Sequence, residues 1–164
     1  MEFIIEKGNI VDYETDAIVN AANKYLQAGG GVCGAIFNKA GHFKLQEECN
    51  KLAPIKTGEA VITKGYNLKS KYIIHAVGPI YEGKGSAIYL KNAYVNALRV
   101  AEDNKLESIV FPSISTGIYG YPLDEASKIA IDAILNFNYQ YIKKVYLVCF
   151  DDKTYEIYKN NYKK

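Results

Sequence analysis

Apolar residues along this chain are grouped in two ways, and the first grouping is typical of β-strands. Short runs rich in isoleucine and valine are bounded by Gly, Asn, Asp or Pro, the residues that commonly end strands. Six such runs lie at residues 2–9, 15–23, 58–66, 71–79, 108–115 and 145–150. The pattern therefore predicts about six strands, which include two pairs that follow each other directly along the chain.

The second grouping repeats apolar residues every three or four positions, as on one face of an α-helix. It predicts four helices, which run from Gly34 to about Leu52, from Ser86 to Ala101, from Pro122 to Phe137, and over a short terminal segment with Tyr155, Tyr158 and Tyr162 on one side. Ser86 is a suitable N-cap, and Pro122 suits the first helical position. Gly41 weakens the first helix.

Strands that alternate with helices predict an α/β fold in which helices cover both faces of a sheet. The two directly adjacent strand pairs predict that this sheet is mixed. The expected architecture is a three-layer α/β/α sandwich with about six strands. A length of 164 residues suits one domain, so we expect a single domain over residues 1–164.

The charge balance argues against a protein that binds nucleic acid or membranes through a charged surface. The 20 basic and 18 acidic residues leave a net charge of only +2. No run approaches the roughly 18 to 20 apolar residues of a membrane span. Glu2 stands where a secretory signal would carry cations. We therefore expect a cytoplasmic monomer that does not associate with membranes.

Cysteine and histidine are too sparse to predict a metal site or a disulfide framework. Cys33, Cys49 and Cys149 form no CxxC pattern, and the chain has two histidines. We expect neither a metal nor a cofactor. His75 lies within a strand-like run, where a packed imidazole is a more common role than a general base.

Two glycine-bearing loops, at residues 27–34 and 115–120, each follow a predicted strand and precede a predicted helix. In an open α/β sheet, ligands bind at the carboxyl ends of the strands, where these loops would lie. Glycines let the backbone approach a ligand, and a helix N-terminus offers unpaired N–H groups to an anion. Such loops could hold a diphosphate from both sides, or both could be ordinary strand-to-helix turns.

The first of these loops also satisfies the dinucleotide pattern G-x-G-x-x-G at residues 29–34. Its context disfavours that fold, because the segment KYLQA separates the strand from the glycines. Pro54 stands near the position where an acidic residue should contact the ribose. The glycine pattern alone is therefore weak support for a dinucleotide site.

Two asparagines flank two small residues in the segment Asn20-Ala21-Ala22-Asn23 at the end of the second strand. Asparagine at a strand end is usually a turn former. Beside a glycine loop, the two amides could instead bond to the hydroxyls of a sugar in a confined space.

Several segments, taken together and in order, resemble one known family. They are GNI (8–10), DAIVNAAN (16–23), GGGVCGAI (29–36), Ala40-Gly41, TGEAVIT (57–63), IIHAVGP (73–79), FPSISTGIYGYP (111–122) and VCFD (148–151). The chain thus resembles the macrodomain, an ADP-ribose-binding module, and in particular its MacroD-like branch of ADP-ribosyl-ester hydrolases. The fold that this resemblance implies, a mixed sheet between helices, agrees with the pattern of strands and helices.

The resemblance also implies how ADP-ribose would lie on this chain. Asn9 and Ile10 would meet the adenine edge, and Phe150 would stack on or flank its ring. Asn23 would hold the distal ribose beneath Tyr119. Asn20 is also expected to line the ligand, on the separate ground that two amides flank two small residues in this segment. The diphosphate would lie between two backbone segments, which are Gly30, Gly31 and Val32 on one side and Ser115, Thr116, Gly117, Ile118 and Tyr119 on the other.

Two residues depart from the pattern of the family. Asn9 stands where macrodomains usually carry Asp, so the bond to adenine loses its charge assistance. Cys33 stands where hydrolytic members commonly have Asp beside the distal ribose. A thiol is mostly protonated at pH 7 and is a poor proton acceptor. Cys33 is then a tolerated substitute, a small residue that fills space, or a nucleophile activated by the helix N-terminus, in that order of preference.

The expected function is hydrolysis of ester-linked ADP-ribose, either O-acetyl-ADP-ribose or mono-ADP-ribosylated Asp and Glu side chains. The resemblance implies that a water held against a ligand phosphate attacks the ester, with Asn23, Cys33 and Tyr119 around the reacting end. Positioning of this kind supplies much of a rate enhancement without a strong base. The alternative is a module that binds ADP-ribose without turnover. A general nucleotide-binding or RNA-binding domain is disfavoured by the low net charge.

Overall fold

The computed structural model describes residues 1–163, and its six strands form one mixed sheet. The strands are β1 (Glu2–Lys7), β2 (Ala17–Ala22), β3 (Ala60–Lys64), β4 (Tyr72–Val77), β5 (Ser108–Phe111) and β6 (Lys144–Cys149). Their order across the sheet is β1-β6-β5-β2-β4-β3. All neighbouring pairs are parallel except β3 and β4, which are antiparallel.

Helices cover both faces of this sheet. They are α1 (Gly31–Ala40), α2 (His42–Leu52), α3 (Ala87–Asp103), α4 (Leu123–Asn136) and α5 (Asp152–Lys163). Short 3-10 helices lie at Ile10–Asp12 and Lys84–Ser86. None of the five α-helices described within residues 1–163 is long and apolar enough to cross a membrane.

Alternating strand residues point into two separate cores. Ile18 and Ile73 pack with α1 and α2, whereas the adjacent residues Val19 and Ile74 pack with α3, α4 and α5. This alternation follows from the two-residue period of a strand. Because both faces of each central strand are buried, their sequences are almost continuously apolar. The arrangement confirms the predicted α/β/α sandwich and mixed sheet.

The predicted helix over residues 34–52 is in fact two helices, α1 and α2. Gly41 separates them with φ of 103°, in the left-handed region that glycine adopts without the strain imposed by a Cβ atom. Its N–H donates to the carbonyl of Phe37, which ends α1. Apolar residues keep their helical spacing on both sides of Gly41, so the spacing alone predicts one helix.

Two predicted helix starts differ from the structure in detail. Ser86 is the N-cap residue of α3, as predicted, but its hydroxyl accepts a hydrogen bond from the N–H of Glu82 at 2.8 Å and makes no capping bond to the helix. Pro122 is the N-cap of α4, whose first helical residue is Leu123. The predicted strand over residues 108–115 is shorter, because β5 ends at Phe111 before Pro112, which has no N–H to donate.

One edge of the sheet collects the segments that the sequence marked as functional. The parallel strands β1, β6, β5, β2 and β4 all end there. The antiparallel strand β3 begins there, so residues 56–58 join the same edge, and the N–H of Gly58 donates to the carbonyl of Val77 at 2.7 Å. Loops that are far apart in sequence therefore meet above this edge.

Close packing at Gly78 fixes the relative positions of two of these loops. Gly78 follows β4, and a Cβ atom on it would collide with the side chains of Ser115 and Ile114 in the loop after β5. Collisions of this kind force side chains and backbone to move. The absent side chain thus lets the ends of β4 and β5 lie against each other.

We expect Gly78→Ala to lower the free energy of unfolding by about 1 to 3 kcal/mol, the usual cost of overpacking. Urea denaturation monitored by circular dichroism measures this loss. Gly85→Ala is the matched control, because a Cβ atom at Gly85 meets open space and its φ is not positive. Equal urea midpoints for the two variants would contradict the role assigned to Gly78.

Candidate functional site

A cavity of about 280 Å³, here called the central cavity, opens where β2, β4 and β5 end and α1 begins. Sequence reasoning singled out nine of the residues that line it, namely Asn23, Gly30, Gly31, Val32, Cys33, Ser115, Gly117, Ile118 and Tyr119. The fold therefore brings the two glycine-bearing loops together from positions more than 80 residues apart.

The first turn of α1 forms one wall of the central cavity. This wall runs from Gly29 to Cys33, and Gly31 has φ of 56°. The first N–H groups of any α-helix lack intrahelical partners and, with the helix dipole, attract anions. Gly34 lets the loop fold back tightly, because a Cβ atom there would meet the carbonyl oxygen of Gly29. This wall can bind an anion without a charged side chain.

The loop over residues 113–119 forms the opposite wall, and a buried tyrosine holds it. The Tyr94 hydroxyl donates to the carbonyl of Pro112 at 3.3 Å and accepts from the N–H of Ile114 at 3.0 Å. The Thr116 hydroxyl donates to the carbonyl of Ser113 at 3.0 Å, so it is used within the loop. Thr116 does not line the central cavity as described here. The loop is thus held both from inside the core, by Tyr94, and by hydrogen bonds of its own.

Ser115 combines two unusual features at this wall. Its φ is 67°, and non-glycine residues in this region are uncommon and often found at functional sites. Its hydroxyl oxygen is buried and has no hydrogen-bond partner within residues 1–163. Ser115 lines the central cavity, and its buried hydroxyl lies against Gly78.

Asn23 lies at the rim of the central cavity, but its amide already shapes the adjoining loop. Its Oδ1 accepts from the N–H of Gln27 at 3.1 Å and of Tyr25 at 3.2 Å, and its Nδ2 donates to the carbonyl of Gln27 at 2.9 Å. A ligand hydroxyl would share these atoms. Tyr119, also at the rim, is tied by its carbonyl to the N–H of Tyr81 at 2.9 Å.

Cys33 lies in the first turn of α1, is 6% exposed and lines the central cavity. Its thiol donates to the carbonyl of Gln27 at 3.6 Å, and its sulfur accepts from Nδ2 of Asn20 at 3.7 Å. Neither partner is a base. These contacts do not favour the activated nucleophile among the three roles considered for Cys33.

Asn20 lies beneath the central cavity rather than along it, in a buried polar chain. Asn20 is 1% exposed, and its Nδ2 lies 3.1 Å from Nδ1 of His75. On the other side of the ring, Nε2 lies 3.0 Å from the Thr63 hydroxyl. A thiol, that of Cys49, lies 3.8 Å from the same nitrogen. Asn20 thus supports the floor of the site instead of presenting its amide to a ligand.

His75 stays neutral in this chain because burial lowers its pKa to about 3. The ring is 0% exposed and contacts neutral groups in the chain just described. Removing an imidazolium from water is unfavourable without a compensating charge. His75 therefore has a packing role, as the sequence predicts, and does not act as a general base at neutral pH.

The residues expected near adenine lie at the far end of the same edge, outside the central cavity as described. Asn9 follows β1 and Phe150 follows β6, and these strands are paired, so the two residues are neighbours. Phe150 is 83% exposed, whereas Ile10 is only 5% exposed. The Asn9 Oδ1 accepts from the N–H of Val11 at 3.3 Å and thereby caps the 3-10 helix.

Sequence reasoning missed six residues of the lining, which are Ala21, Ala22, Gly29, Gly78, Ser113 and Ile114. For most of them, the neighbouring sequence could have indicated a place in the lining. Ala21 and Ala22 are the small residues between the two asparagines, and Gly29 belongs to the glycine cluster. Gly78 ends a strand run, but its closeness to the loop after β5 depends on strand order, which the sequence does not reveal.

Comparison with known proteins identifies the family that this chain resembles. A model described as the Macro domain matches residues 19–130. An uncharacterized protein of Fusobacterium nucleatum is 50% identical, with 92% of this chain and 88% of that protein covered. A macro domain-containing protein of Caldanaerobacter subterraneus is 47% identical, with 95% and 93% covered.

Solved structures agree with the sequence comparisons. A macrodomain variant from Oceanobacillus iheyensis, solved with ADPR, superposes with a TM-score of 0.92 at 41% identity, covering 97% of this chain and 90% of that chain. A Trypanosoma brucei macrodomain in complex with ADP-ribose gives a TM-score of 0.91 at 38% identity, covering 97% and 68%. These matches confirm the resemblance to the macrodomain, and they do not specify a branch of that family.

We expect the stability of the protein to fall as the pH drops below about 6.5, in part because of His75. An unfolded chain takes up a proton on this residue near pH 6.5, whereas the folded chain resists it until about pH 3. Between these values the unfolded state binds more protons, so each decrease of one pH unit lowers the free energy of unfolding by up to about 1.4 kcal/mol. Above pH 6.5 the residue contributes no pH dependence.

Urea denaturation of the wild type and His75→Gln at pH 7.5, 5.5 and 4.5 measures this effect. His75→Gln should lose less stability on acidification than the wild type, since glutamine does not titrate. His42→Gln is the control, because His42 is exposed and lies outside the buried polar chain around His75. Parallel profiles for the wild type and both variants would show that His75 is not the group responsible.

Proposed function

The chain belongs to the macro domain family, and we propose that it binds ADP-ribose in the central cavity and hydrolyses ADP-ribose esters. The observation that carries this proposal is the pairing of the α1 N-terminus with the 113–119 loop across one cavity. The free N–H groups at the start of α1 offer donors to a diphosphate. The proposal takes residues 1–164 to act as one domain.

The order of segments along the sheet edge supports an extended ligand. The edge runs from Asn9 and Phe150 at β1 and β6, through the loop after β5, to Asn23 after β2 and Gly78 after β4. Neighbouring strands lie about 4.8 Å apart, so these positions span several strand spacings. An adenine at Phe150, a diphosphate in the central cavity and a distal ribose at Asn23 would follow this order.

The proposed reaction is attack by water on the ester that joins an acyl group to the distal ribose. A new bond forms between the water oxygen and the acyl carbon, the bond to the ribose oxygen breaks, and the products are a carboxylic acid and ADP-ribose. A phosphate of the ligand would hold the water, and Asn23 would fix the sugar. Positioning then contributes more to the rate than a basic side chain does. The acyl group is either acetyl or the side chain of an Asp or Glu residue.

A second function, binding without turnover, is favoured by one observation at Cys33. The thiol is hydrogen-bonded to a backbone carbonyl and an amide, and neither can take a proton from water. If hydrolysis required a carboxylate at this position, the protein would recognise ADP-ribose and leave its ester intact. The two functions share the same binding site and differ only in turnover.

We expect the charge-introducing variant Gly30→Glu to weaken ADP-ribose binding at least tenfold. Its carboxylate would lie beside the proposed diphosphate position, and like charges repel in a partly enclosed site. A Cβ atom at Gly30 meets open space within the protein, so the fold should tolerate the change. Calorimetric titration measures the affinity, and the matched variant Gly30→Gln separates charge from bulk. Equal affinities for the two variants would contradict the diphosphate assignment, and absence of binding by the wild type would refute both functions.

We expect the wild type to release ADP-ribose from an ester-modified protein, and Cys33→Ala to stay within about tenfold of that rate, since positioning does most of the work. Asn23→Ala should lose turnover because Asn23 is proposed to fix the distal ribose, and it should keep its affinity for ADP, which lacks that ribose. Chromatographic assay of free ADP-ribose measures the rates, and calorimetric titration measures the affinity. If the wild type binds ADP-ribose without turnover and the Cys33→Asp variant hydrolyses the ester, the native protein only binds. Unchanged turnover in Asn23→Ala would contradict the placement of the distal ribose.

A further inference from the structure

A second and larger depression adjoins the central cavity on the side of β4. It has a volume of about 870 Å³, against 280 Å³ for the central cavity, and is here called the outer basin. The two share Asn23, Gly78 and Tyr119, the residues around the proposed distal ribose. The outer basin therefore begins where the ester of a bound substrate would lie and extends away from the diphosphate.

Besides Tyr119, segments from four parts of the chain build the outer basin. Lys24 and Tyr25 follow Asn23, Lys56 precedes β3, Ile80 follows β4, and Tyr89 belongs to the first turn of α3. A backbone hydrogen bond from the N–H of Ile55 to the carbonyl of Lys24, 2.9 Å long, joins the two lysine-bearing loops. The two lysines thus lie on the same side of the basin, on loops that are tied together.

Three of the large side chains that line the outer basin are both exposed and apolar or aromatic. Tyr25 is 66% exposed, Ile80 is 60% exposed and Tyr89 is 48% exposed. Clustered exposed apolar residues, especially with aromatic anchors and a polar rim, mark surfaces that bind other molecules. An acetyl group would cover little of this surface, whereas a polypeptide segment would cover much of it.

The charges of the outer basin indicate the chemistry of that segment. Lys24 and Lys56 are exposed and take part in no ion pair among residues 1–163. Glu82 is the acidic residue that lines the basin, at the end formed after β4. The lining thus has two exposed cations without an ion pair and one anion, which favours an occupant that carries carboxylates.

We propose that the outer basin docks the polypeptide around the ester, and that Lys24 and Lys56 pair with acidic residues flanking the modified side chain. This inference rests on the proposed function of the central cavity. It assigns the substrate class as ADP-ribosylated protein with an acidic sequence around the acceptor, in preference to the acetyl ester. The tyrosines and Ile80 supply the apolar contact, and the lysines supply the selectivity.

Three substrates test the assignment. They are a glutamate-modified ADP-ribosyl peptide with acidic flanking residues, the same peptide with glutamines in their place, and O-acetyl-ADP-ribose. The wild type should have a KM several-fold lower for the acidic peptide than for the glutamine peptide. The double variant Lys24→Gln/Lys56→Gln should raise the KM for the acidic peptide about threefold to tenfold and leave the other two substrates unchanged, as expected for two exposed ion pairs.

The double variant Lys39→Gln/Lys71→Gln is the matched control, because both lysines are exposed, outside the basin and without an ion pair among residues 1–163. It should behave as the wild type with all three substrates. The preference for the acidic peptide should also shrink in high salt, which screens exposed charges.

The outcomes separate this proposal from the one on which it rests. If the wild type hydrolyses both peptides with the same KM, or if the Lys24 and Lys56 variant matches the control, the docking proposal is wrong and the hydrolase function stands. If the wild type binds ADP-ribose without turnover, the affinities for the two modified peptides replace the KM values, and equal affinities overturn the docking proposal. Failure to bind ADP-ribose overturns both.

Discussion

The candidate site depends on one constraint, the parallel alignment that ends five strands at the same edge of the sheet. Hydrogen bonding between β2 and both β4 and β5 places the α1 N-terminus, Gly78 and the 113–119 loop around one volume. The register leaves little freedom, because a slip of one residue would turn every buried strand side chain to the other face. The geometry of the loops is therefore set by the two cores beneath them.

Backbone groups, rather than side-chain charges, dominate the chemistry of the central cavity. Its lining contains glycines, small or apolar residues, a thiol and hydroxyls, but no Lys, Arg, Asp or Glu among the described residues. A helix N-terminus can hold an anion in such a setting, and it does so without the desolvation cost of burying a cation. This explains how a chain with a net charge of only +2 can have a site suited to a diphosphate. Formal charge enters at the outer basin, where Lys24 and Lys56 remain in contact with solvent.

The floor of the site is held by a polar network that remains neutral. His75 has a pKa lowered to about 3 by burial, and burial raises the pKa of Cys49 to about 12, so neither group is charged near pH 7. Asn20 connects this network to Cys33. Neutral hydrogen-bonded groups can support a rigid floor without placing an uncompensated charge under the ligand.

The sequence by itself determined the strands, most of the helices, the mixed sheet and the two loops that form the central cavity. These features follow from the spacing of apolar residues, from the positions of glycines and from short segments that resemble the family. Each of these signals can be recognised within a short stretch of sequence. Tertiary structure decided the rest. Gly41 divides one apolar period into two helices because the chain turns there, and Asn20 lies under the floor because β2 directs it toward His75. The close packing of Gly78 against the loop after β5 depends on strand order, which places the ends of β4 and β5 near each other. The outer basin likewise combines α3, the end of β4 and the loops near Lys24 and Lys56, which no local pattern connects.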